Sequence, residues 1–190
     1  MISNHDRSYY IGASDTKYVM SNWNTKTFQK WWLKKLGLDT SNIQNKYTMA
    51  GTYYEHKIID VLGIKDITKD AQYIKGRIRV NLDANTKDCI HEIKTYNYEK
   101  GFDIEKHNDY KQQVQVQMYV SKIHKSYIDA YGLKEEDYNN YFNEIDKNRL
   151  SSYEIKYDKN WIKYKYKPRI KILEKCLEEG KMPKMEDLKC

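Results

Sequence analysis

The stretch RVNLDANTKDCIHEIKT, Arg79 to Thr95, decides the fold. Two extended runs flank the polar sequence NTKD, which predicts two strands joined by a turn. Alternate residues of a strand point to the same side, so Glu92 and Lys94 should emerge together while Ile93 faces the opposite, buried side. Because the turn folds the chain back, it can also place the carboxylate of Asp83 beside that of Glu92.

Two carboxylates and an ammonium group at the end of a hairpin suggest a cation site. The carboxylates of Asp83 and Glu92 repel each other unless a hard cation lies between them, and Mg²⁺ favours one or two carboxylates with water and phosphate oxygens. Lys94 would then orient or help to deprotonate an attacking water, or stabilise charge in the transition state. A surface salt bridge from Lys94 to either acid, worth less than ~1 kcal/mol, is the alternative interpretation.

The composition is that of a folded protein with one domain over residues 1–190. Its 19 Tyr and 4 Trp argue against disorder, and its 8 Gly and 2 Pro argue against a loop-dominated chain. No apolar run approaches the ~18 residues of a membrane span, and the start MISNHDRSYY lacks the apolar core of a signal peptide. A soluble, cytoplasmic protein without membrane contact is therefore expected.

The charge balance favours a polyanionic partner. The formal net charge is +7 and the pI about 9.0, as expected for a protein that binds nucleic acid. An AT-rich genome would also enrich lysine, so charge alone does not decide. The 3 cysteines form no CxxC pair, which argues against a disulfide framework or a zinc site.

The remaining patterns predict a mixed α/β sandwich with helices packed on a sheet. Ser14 is expected to cap a short helix. The segment 109–124 alternates like a strand at QVQV, but its length and composition favour a helix. The other predicted elements are helices over 25–36, 47–62 (buried face Met49, Tyr53, Ile58 and Leu62) and 161–179, and strands over 72–84 (with a break or bulge near Gly76), 126–133 and 151–157.

Four segments, in order, resemble a known family. They are RSYYIGASD, AGTYYEHKIID, LDANTKDCIHEIK and YKQQVQVQMYV, which together span Arg7 to Val120. The D…ExK pattern in the third is similar to the signature of the PD-(D/E)XK nuclease superfamily. The flanking segments resemble its phage branch, the lambda exonuclease or YqaJ-like viral recombinase family. The resemblance implies a restriction-endonuclease-like α/β fold, a mixed β-sheet flanked by helices.

By this resemblance, each conserved function of the family has a candidate residue here. On either side of Asp83, Leu82 and Ala84 stand where the family usually has Pro and Gly. This difference leaves open whether the turn at Asp83 has the family's geometry. The chain is also shorter than many members, which leaves ring formation in question. The implied roles are metal binding by Glu55, Asp83, Glu92 and the carbonyl of Ile93, catalysis by Lys94, orientation of water or phosphate by Gln113 (or by Gln115 or Gln117), lining of the site by Tyr110, and anchoring of a 5′-phosphate by Arg7 and Ser14.

The implied activity is a Mg²⁺-dependent (Mn²⁺ also possible) exonuclease that digests linear double-stranded DNA 5′→3′ in a phage-infected or lysogenic bacterium. Its partners would be DNA ends and a single-strand annealing protein, and the family forms trimers. One alternative is a structure-selective or restriction-type endonuclease of the same superfamily. The other is a non-catalytic DNA-binding module. An iron–sulfur nuclease needs four cysteines, one more than the 3 present.

Overall fold

The computed structural model describes residues 8–39 and 45–189 of the chain. They form the expected mixed α/β architecture, with a six-stranded sheet between helices. None of the helices in this part of the chain combines the length and apolar character that a membrane span needs. The strands are β1 (Ile11–Gly12), β2 (Thr68–Lys75), β3 (Ile78–Asn85), β4 (Ile90–Asn97), β5 (Lys125–Leu133) and β6 (Leu150–Lys156). The helices are α1 (Thr16–Val19), α2 (Lys26–Lys35), α3 (Lys46–Leu62), α4 (Asn108–Ser121), α5 (Lys159–Trp161) and α6 (Lys167–Glu178), with a π-helical segment, Ile162–Tyr166, before α6.

Strand β3 organises the sheet because it has three neighbours. Antiparallel β2 pairs with it from Thr68–Asn85 to Lys75–Ile78 and so covers one edge. On its other edge, β1 pairs in parallel at Ile78 and Arg79, whereas β4 pairs antiparallel only at Ala84 and Asn85. The middle of β3 is therefore separated from β4, and the two strands diverge from the hairpin turn. Beyond β4 the order continues with parallel β5 and antiparallel β6.

The predicted strand over 72–84 is wrong in one respect, since it is two strands. Residues on either side of Gly76 form the β2–β3 hairpin instead of one strand with a bulge. Gly76 has a φ of 59°, a conformation that glycine adopts without steric cost. Apolar and polar residues alternate in the same phase before and after the turn at Gly76. The pattern therefore resembles one continuous strand.

Helices pack on both faces of the sheet. One core joins α2, α4 and α6 to the sheet through residues that include Phe28, Trp32 and Leu82. The aromatic face predicted for residues 25–36 is confirmed, and the Thr25 hydroxyl caps α2 by accepting from the amide of Phe28 at 3.3 Å. The second core packs α3 against β4 and β5.

The predicted buried face of α3 is wrong at two positions. Met49 and Tyr53 are 41% and 57% exposed, and Tyr53 stacks on Tyr141 at the surface. The residues that pack on the sheet are Ala50, Tyr54, Ile58 and Ile59. The prediction favoured large side chains, whereas the close approach of α3 to the sheet requires the small side chain of Ala50.

The N-terminal segment differs from its prediction in its cap. Residues Ala13–Asp15 form a 3₁₀ turn that begins after Gly12, so Ser14 lies inside the turn. The carboxylate of Asp15 accepts from the amide of Gly12 at 2.9 Å and thereby takes the capping role expected of Ser14. The helical interpretation of 109–124 and the strands predicted over 126–133 and 151–157 are confirmed by α4, β5 and β6.

A buried ion pair joins the central strands β4 and β5. Nδ1 of His91 lies 2.8 Å from Oδ2 of Asp129, and Oδ1 of Asp129 accepts from the hydroxyl of Ser152. Burial lowers the pKa of His91, but the hydrogen bonds and negative charges of Asp129 and Cys89 outweigh it and raise the pKa to about 9. His91 is therefore charged at neutral pH.

Asp129→Asn is expected to lower the free energy of unfolding by about 3 kcal/mol at pH 6, because it leaves a buried imidazolium without its counter-charge. A raised pKa contributes stability that is complete below the ordinary value of 6.5 and is lost as the pH rises through 9. The loss should therefore be much smaller at pH 9.5. Urea denaturation at both pH values measures it, and equal losses would show that the charge of His91 does not stabilise the fold.

Candidate active site between the diverging strands

The site begins where β3 and β4 separate. A regular antiparallel ladder would continue from the Ala84–His91 pair to Asp83 opposite Glu92, but the pairing ends at Ala84. Instead, the amide of Ile93 donates to Oδ2 of Asp83 at 2.8 Å, so a side chain replaces the backbone partner. The half-buried carboxylate of Asp83 is thereby fixed in the gap, as the sequence predicted for a residue beside Glu92.

Glu92 is the centre of the polar network. It is 2% exposed, and its Oε1 accepts from Nζ of Lys94 at 2.6 Å and from Nε2 of Gln113 at 2.6 Å. Lys94 also donates to Oε1 of Gln113 at 3.2 Å. The prediction that Glu92 and Lys94 share one side of β4, with Ile93 packed in the core on the other, is confirmed.

Gln117 completes this network, although the sequence predicted it only as a substitute for Gln113. Its amide nitrogen donates to Oε2 of Glu92 at 2.5 Å and to the carbonyl of Asn81 at 3.3 Å, and so bridges the separated strands. Residues four apart share one helix face, so Gln113 and Gln117 act together. Gln115 points elsewhere, since it contacts the backbone of Lys156 and Asp158.

Glu55 reaches the same cleft from the opposite side, on α3. One turn earlier, Gly51 lies so close to β4 that a Cβ atom there would be 3.3 Å from Oγ1 of Thr95. The glycine of the G-x3-E segment is therefore explained by packing, because it lets α3 approach the strand that carries Glu92 and Lys94.

Gly51→Ala is expected to slow catalysis about threefold to tenfold, because the new methyl group pushes α3 and Glu55 away by a few tenths of an ångström. Alanine favours helix over glycine by about 1 kcal/mol, so the melting temperature should hold or rise. Adding Thr95→Ala removes the oxygen atom in conflict and should restore the rate. A slow Gly51→Ala protein that Thr95→Ala does not rescue would argue against this contact.

The electrostatics show mutual repulsion among the acids. Burial, and then the negative charges of Glu92 and Glu55, raise the pKa of Asp83 well above its ordinary value. Burial and the charge of Glu92 likewise raise the pKa of Glu55. Burial lowers the pKa of Lys94, but the carboxylates of Glu92 and Asp83 outweigh it, and its pKa is raised. Lys94 is therefore an ammonium group, and the site favours the binding of further positive charge.

An open cleft of about 370 Å³ is lined by Glu55, Ile93 and Lys94, and Glu92 lies behind it, bonded to Lys94. Tyr110 lies in its wall, and Nζ of Lys94 is 4.9 Å from the centroid of the Tyr110 ring, as expected for a cation–π contact. The other side chains in the wall are mainly polar or aromatic: Tyr47, Thr48, Glu55, Thr95, Tyr96, Asn97 and Tyr138. The cleft suits an elongated polar ligand better than a small apolar one.

Ser14 lies outside this cleft. It lines a second cavity of about 430 Å³ together with Lys17, Lys34, Lys35 and Arg79. Arg79 is four residues before Asp83 on β3, or about 13 Å along the strand. The structure thus does not bring Ser14 into contact with the carboxylates, and Arg7 lies outside the described residues.

Glu55 also lies close to two other potential metal ligands at the surface, His56 and Asp70. Ligand atoms of Glu55, His56 and Asp70 lie within 4.8 Å of one another, with Nε2 of His56 at 3.0 Å from Oδ2 of Asp70. His56 and Asp70 are exposed to water, and each already has the other as a partner. Among the described residues Asp83 and Glu92 belong to no group of three ligands with such close spacing, and the place where β3 and β4 separate is preferred as a metal site because Glu92 is buried there.

No protein-family model matches the sequence, and no curated protein sequence matches it. Solved structures are similar in fold, among them the following three. An alkaline exonuclease of Laribacter hongkongensis has a TM-score of 0.72 at 16% identity, covering 92% of this chain and 91% of that one. The same protein in complex with dAMP gives 0.69 at 17% identity, with 91% and 90% covered. A phage related exonuclease of Haemophilus somnus 129PT gives 0.62 at 17% identity, with 92% and 97% covered. Nearly the whole chain thus has the fold of these exonucleases.

Proposed function

We propose that this chain is a metal-dependent nuclease that digests linear double-stranded DNA from its ends. The observation that carries the proposal is the placement of Asp83, Glu92 and Lys94 where β3 and β4 separate, beside a cleft that Glu55 lines from α3. Buried carboxylates that raise one another's pKa are costly in a fold that makes no use of them. The fold shared with solved exonucleases supports the same activity.

The donor set fits Mg²⁺, or Mn²⁺ in its place. Oxygen atoms of Asp83, Glu92 and Glu55, with the carbonyl of Ile93, are hard ligands of the type these ions prefer. Burial and then the charge of Glu92 raise the pKa values of Asp83 and Glu55 despite the opposing charge of Lys94, so a bound cation would relieve the remaining repulsion. When bound, the ion would activate water and neutralise charge on the phosphate.

Residues around the carboxylates would position the reactants. The carboxylates of Glu92 and Asp83 raise the pKa of Lys94, so in the metal-free site it is a charged hydrogen-bond donor, available to the attacking water or to the phosphate. Gln113 contacts both Lys94 and Glu92, and so fixes their relative orientation. Lys94 itself lies in the wall of the cleft.

The basic cavity around Ser14 supports digestion from a 5′ end. Its wall carries the ammonium groups of Lys17 and Lys34, which suit a terminal phosphate, beside Lys35, whose ammonium group is paired with Asp15 of the same wall at 2.6 Å. In this proposal the strand that begins at the bound phosphate is degraded 5′→3′. The product would be a 3′ overhang, the substrate of a single-strand annealing protein.

A comparison of DNA forms tests the proposal. Purified protein in Mg²⁺, with EDTA as control, is given a linear duplex labelled at one 5′ or one 3′ end and the same DNA as a closed circle. Early release of the 5′ label with the circle intact is the expected result. Cleavage of the circle would favour the endonuclease alternative, and binding without cleavage in any metal would favour a non-catalytic module.

A further inference from the structure

Three lysines from separate elements converge on one tyrosine, away from the carboxylates. Lys75 ends β2, Lys122 follows α4 and Lys167 begins α6. Their ammonium nitrogens lie 5.1, 5.3 and 5.1 Å from the centroid of the Tyr119 ring. We call these three residues and Tyr119 the lysine cluster. Three exposed, flexible side chains from distant parts of the sequence share one small region of the surface.

The lysine cluster has an excess of positive charge. Within residues 8–39 and 45–189, no carboxylate forms an ion pair with Lys75, Lys122 or Lys167, whereas several other surface lysines are so paired. Lys75 and Lys167 lower the pKa of Lys122 by their positive charge, and Lys75 does so most. An anion placed among the three would relieve this repulsion and could accept hydrogen bonds from each ammonium group.

Further lysines on α6 and on the segment before it continue this positively charged surface. Lys163, Lys167 and Lys171 recur every four residues and are all exposed, and Lys163 and Lys171 also lack an ion-pair partner in the described part of the chain. The π-helical segment Ile162–Tyr166 ends next to Lys167. Such segments change which residues face a neighbour and are frequent at functional sites. The anion that suits this surface is thus extended, with repeated charges, as a nucleic-acid backbone is.

The position of the cluster relates it to the cleft. Gln113 contacts Glu92 from the first half of α4, and Lys122 follows the end of that helix, about 14 Å further along the axis. We propose that the lysine cluster is a second phosphate-binding site, which holds the backbone of the DNA substrate outside the cleft in which the phosphodiester reacts. The proposal rests on the nuclease function proposed above.

The backbone conformation of Lys122 allows its ammonium group to be removed without disturbing the turn. Its φ is 70°, a conformation that favours glycine, so Lys122→Gly removes the ammonium group without straining the turn. The test variant combines Lys122→Gly with Lys75→Gln and Lys167→Gln. The matched control carries Lys26→Gln, Lys30→Gln and Lys87→Gln, which remove the same charge from exposed sites on α2 and the β3–β4 turn.

Two measurements separate the second site from the catalytic one. The first is the affinity for a 20-bp duplex at several salt concentrations, with Asp83→Asn present in every protein to prevent cleavage. The test variant should bind about tenfold more weakly at 0.1 M salt, and the slope of log affinity against log salt should fall by about 1 for each phosphate released. The second is hydrolysis of thymidine 5′-p-nitrophenyl phosphate, which reaches only the cleft, by the same variants with Asp83 intact. Its rate should not change.

The outcomes are distinct. A test variant with the affinity and salt slope of the control variant would overturn the second site, leave the proposed function intact, and point to an acidic protein as the partner of this surface. Equal losses on the duplex and on the small ester would also overturn it, because the substitutions would then disturb the cleft itself. Absence of DNA binding and of ester hydrolysis in the unmodified protein would refute the proposed function and the second site together.

Discussion

Lys94→Ala is expected to reduce hydrolysis of linear duplex DNA about 10³-fold while leaving the fold intact. The substitution removes the ammonium group that bonds to Glu92 at 2.6 Å and to Gln113 at 3.2 Å, and with it the charged donor in the wall of the cleft. Single-turnover rates measured with excess enzyme report this loss without a contribution from product release. Duplex affinity should change far less than the rate.

Lys100→Ala is the matched control, since Lys100 lies in the 3₁₀ turn that follows β4 and is exposed. It should cleave at the unmodified rate. If Lys94→Ala also retained that rate, the chemistry would not depend on this lysine, and the assignment of the site would be wrong. A fall of the same size in both variants would indicate a general effect of surface charge.

Asp83→Asn is expected to abolish cleavage and, in the absence of metal, to stabilise the protein. The neutral amide no longer repels Glu92 and Glu55, yet its oxygen atom can still accept the hydrogen bond from the amide of Ile93. A gain of about 1 kcal/mol would raise the melting temperature by about 2–4 °C in a protein of this size. Loss of function with a gain of stability distinguishes a binding site from a structural salt bridge.

The pH dependence of this gain has a defined sign. Because the pKa of Asp83 is raised in the folded state, the native protein holds this proton more tightly than the unfolded chain. The stability of the metal-free protein therefore falls as the pH rises above the ordinary carboxyl value of about 4. The difference in melting temperature between Asp83→Asn and the unmodified protein should grow from pH 4 to pH 7.

Metal provides the complementary measurement. Mg²⁺ binds the native state only, so it should raise the melting temperature of the unmodified protein and have little effect on Asp83→Asn. Glu179→Gln, on the exposed end of α6, is a control that removes a carboxylate far in sequence from the cleft. If Asp83→Asn destabilised the metal-free protein, the repulsion inferred for the site would be absent.

The local part of the site could be predicted from the sequence. A strand period of two fixes Glu92 and Lys94 on one side and Ile93 on the other, and a turn of four residues limits where Asp83 can lie. The patterns of 109–124 and 47–62 predicted helices, and the family resemblance, not spacing, singled out Gln113 and Glu55 on them. The strand and turn relations depend only on the backbone geometry of a few neighbouring residues. The order of apolar and polar residues in the sequence follows that geometry.

The rest depends on contacts between distant elements, which local patterns do not record. Local patterns do not show that one edge of β3 is shared, with β1 paired at Ile78 and Arg79 and β4 paired only at Ala84 and Asn85. The double contact of Gln117 exists only because the strands separate at that place. The distance between α3 and the sheet is set by the close contact of Gly51 with Thr95. The larger side chains of Met49 and Tyr53 remain at the surface.

The most direct test of the central claim is the release of acid-soluble nucleotides from linear duplex DNA. The unmodified protein, Lys94→Ala and Asp83→Asn are assayed together, each in Mg²⁺ and in EDTA. The account predicts release by the unmodified protein in Mg²⁺ and by no other combination. Release that persists in EDTA, or in either variant at the unmodified rate, would contradict a metal-dependent nuclease site between β3 and β4.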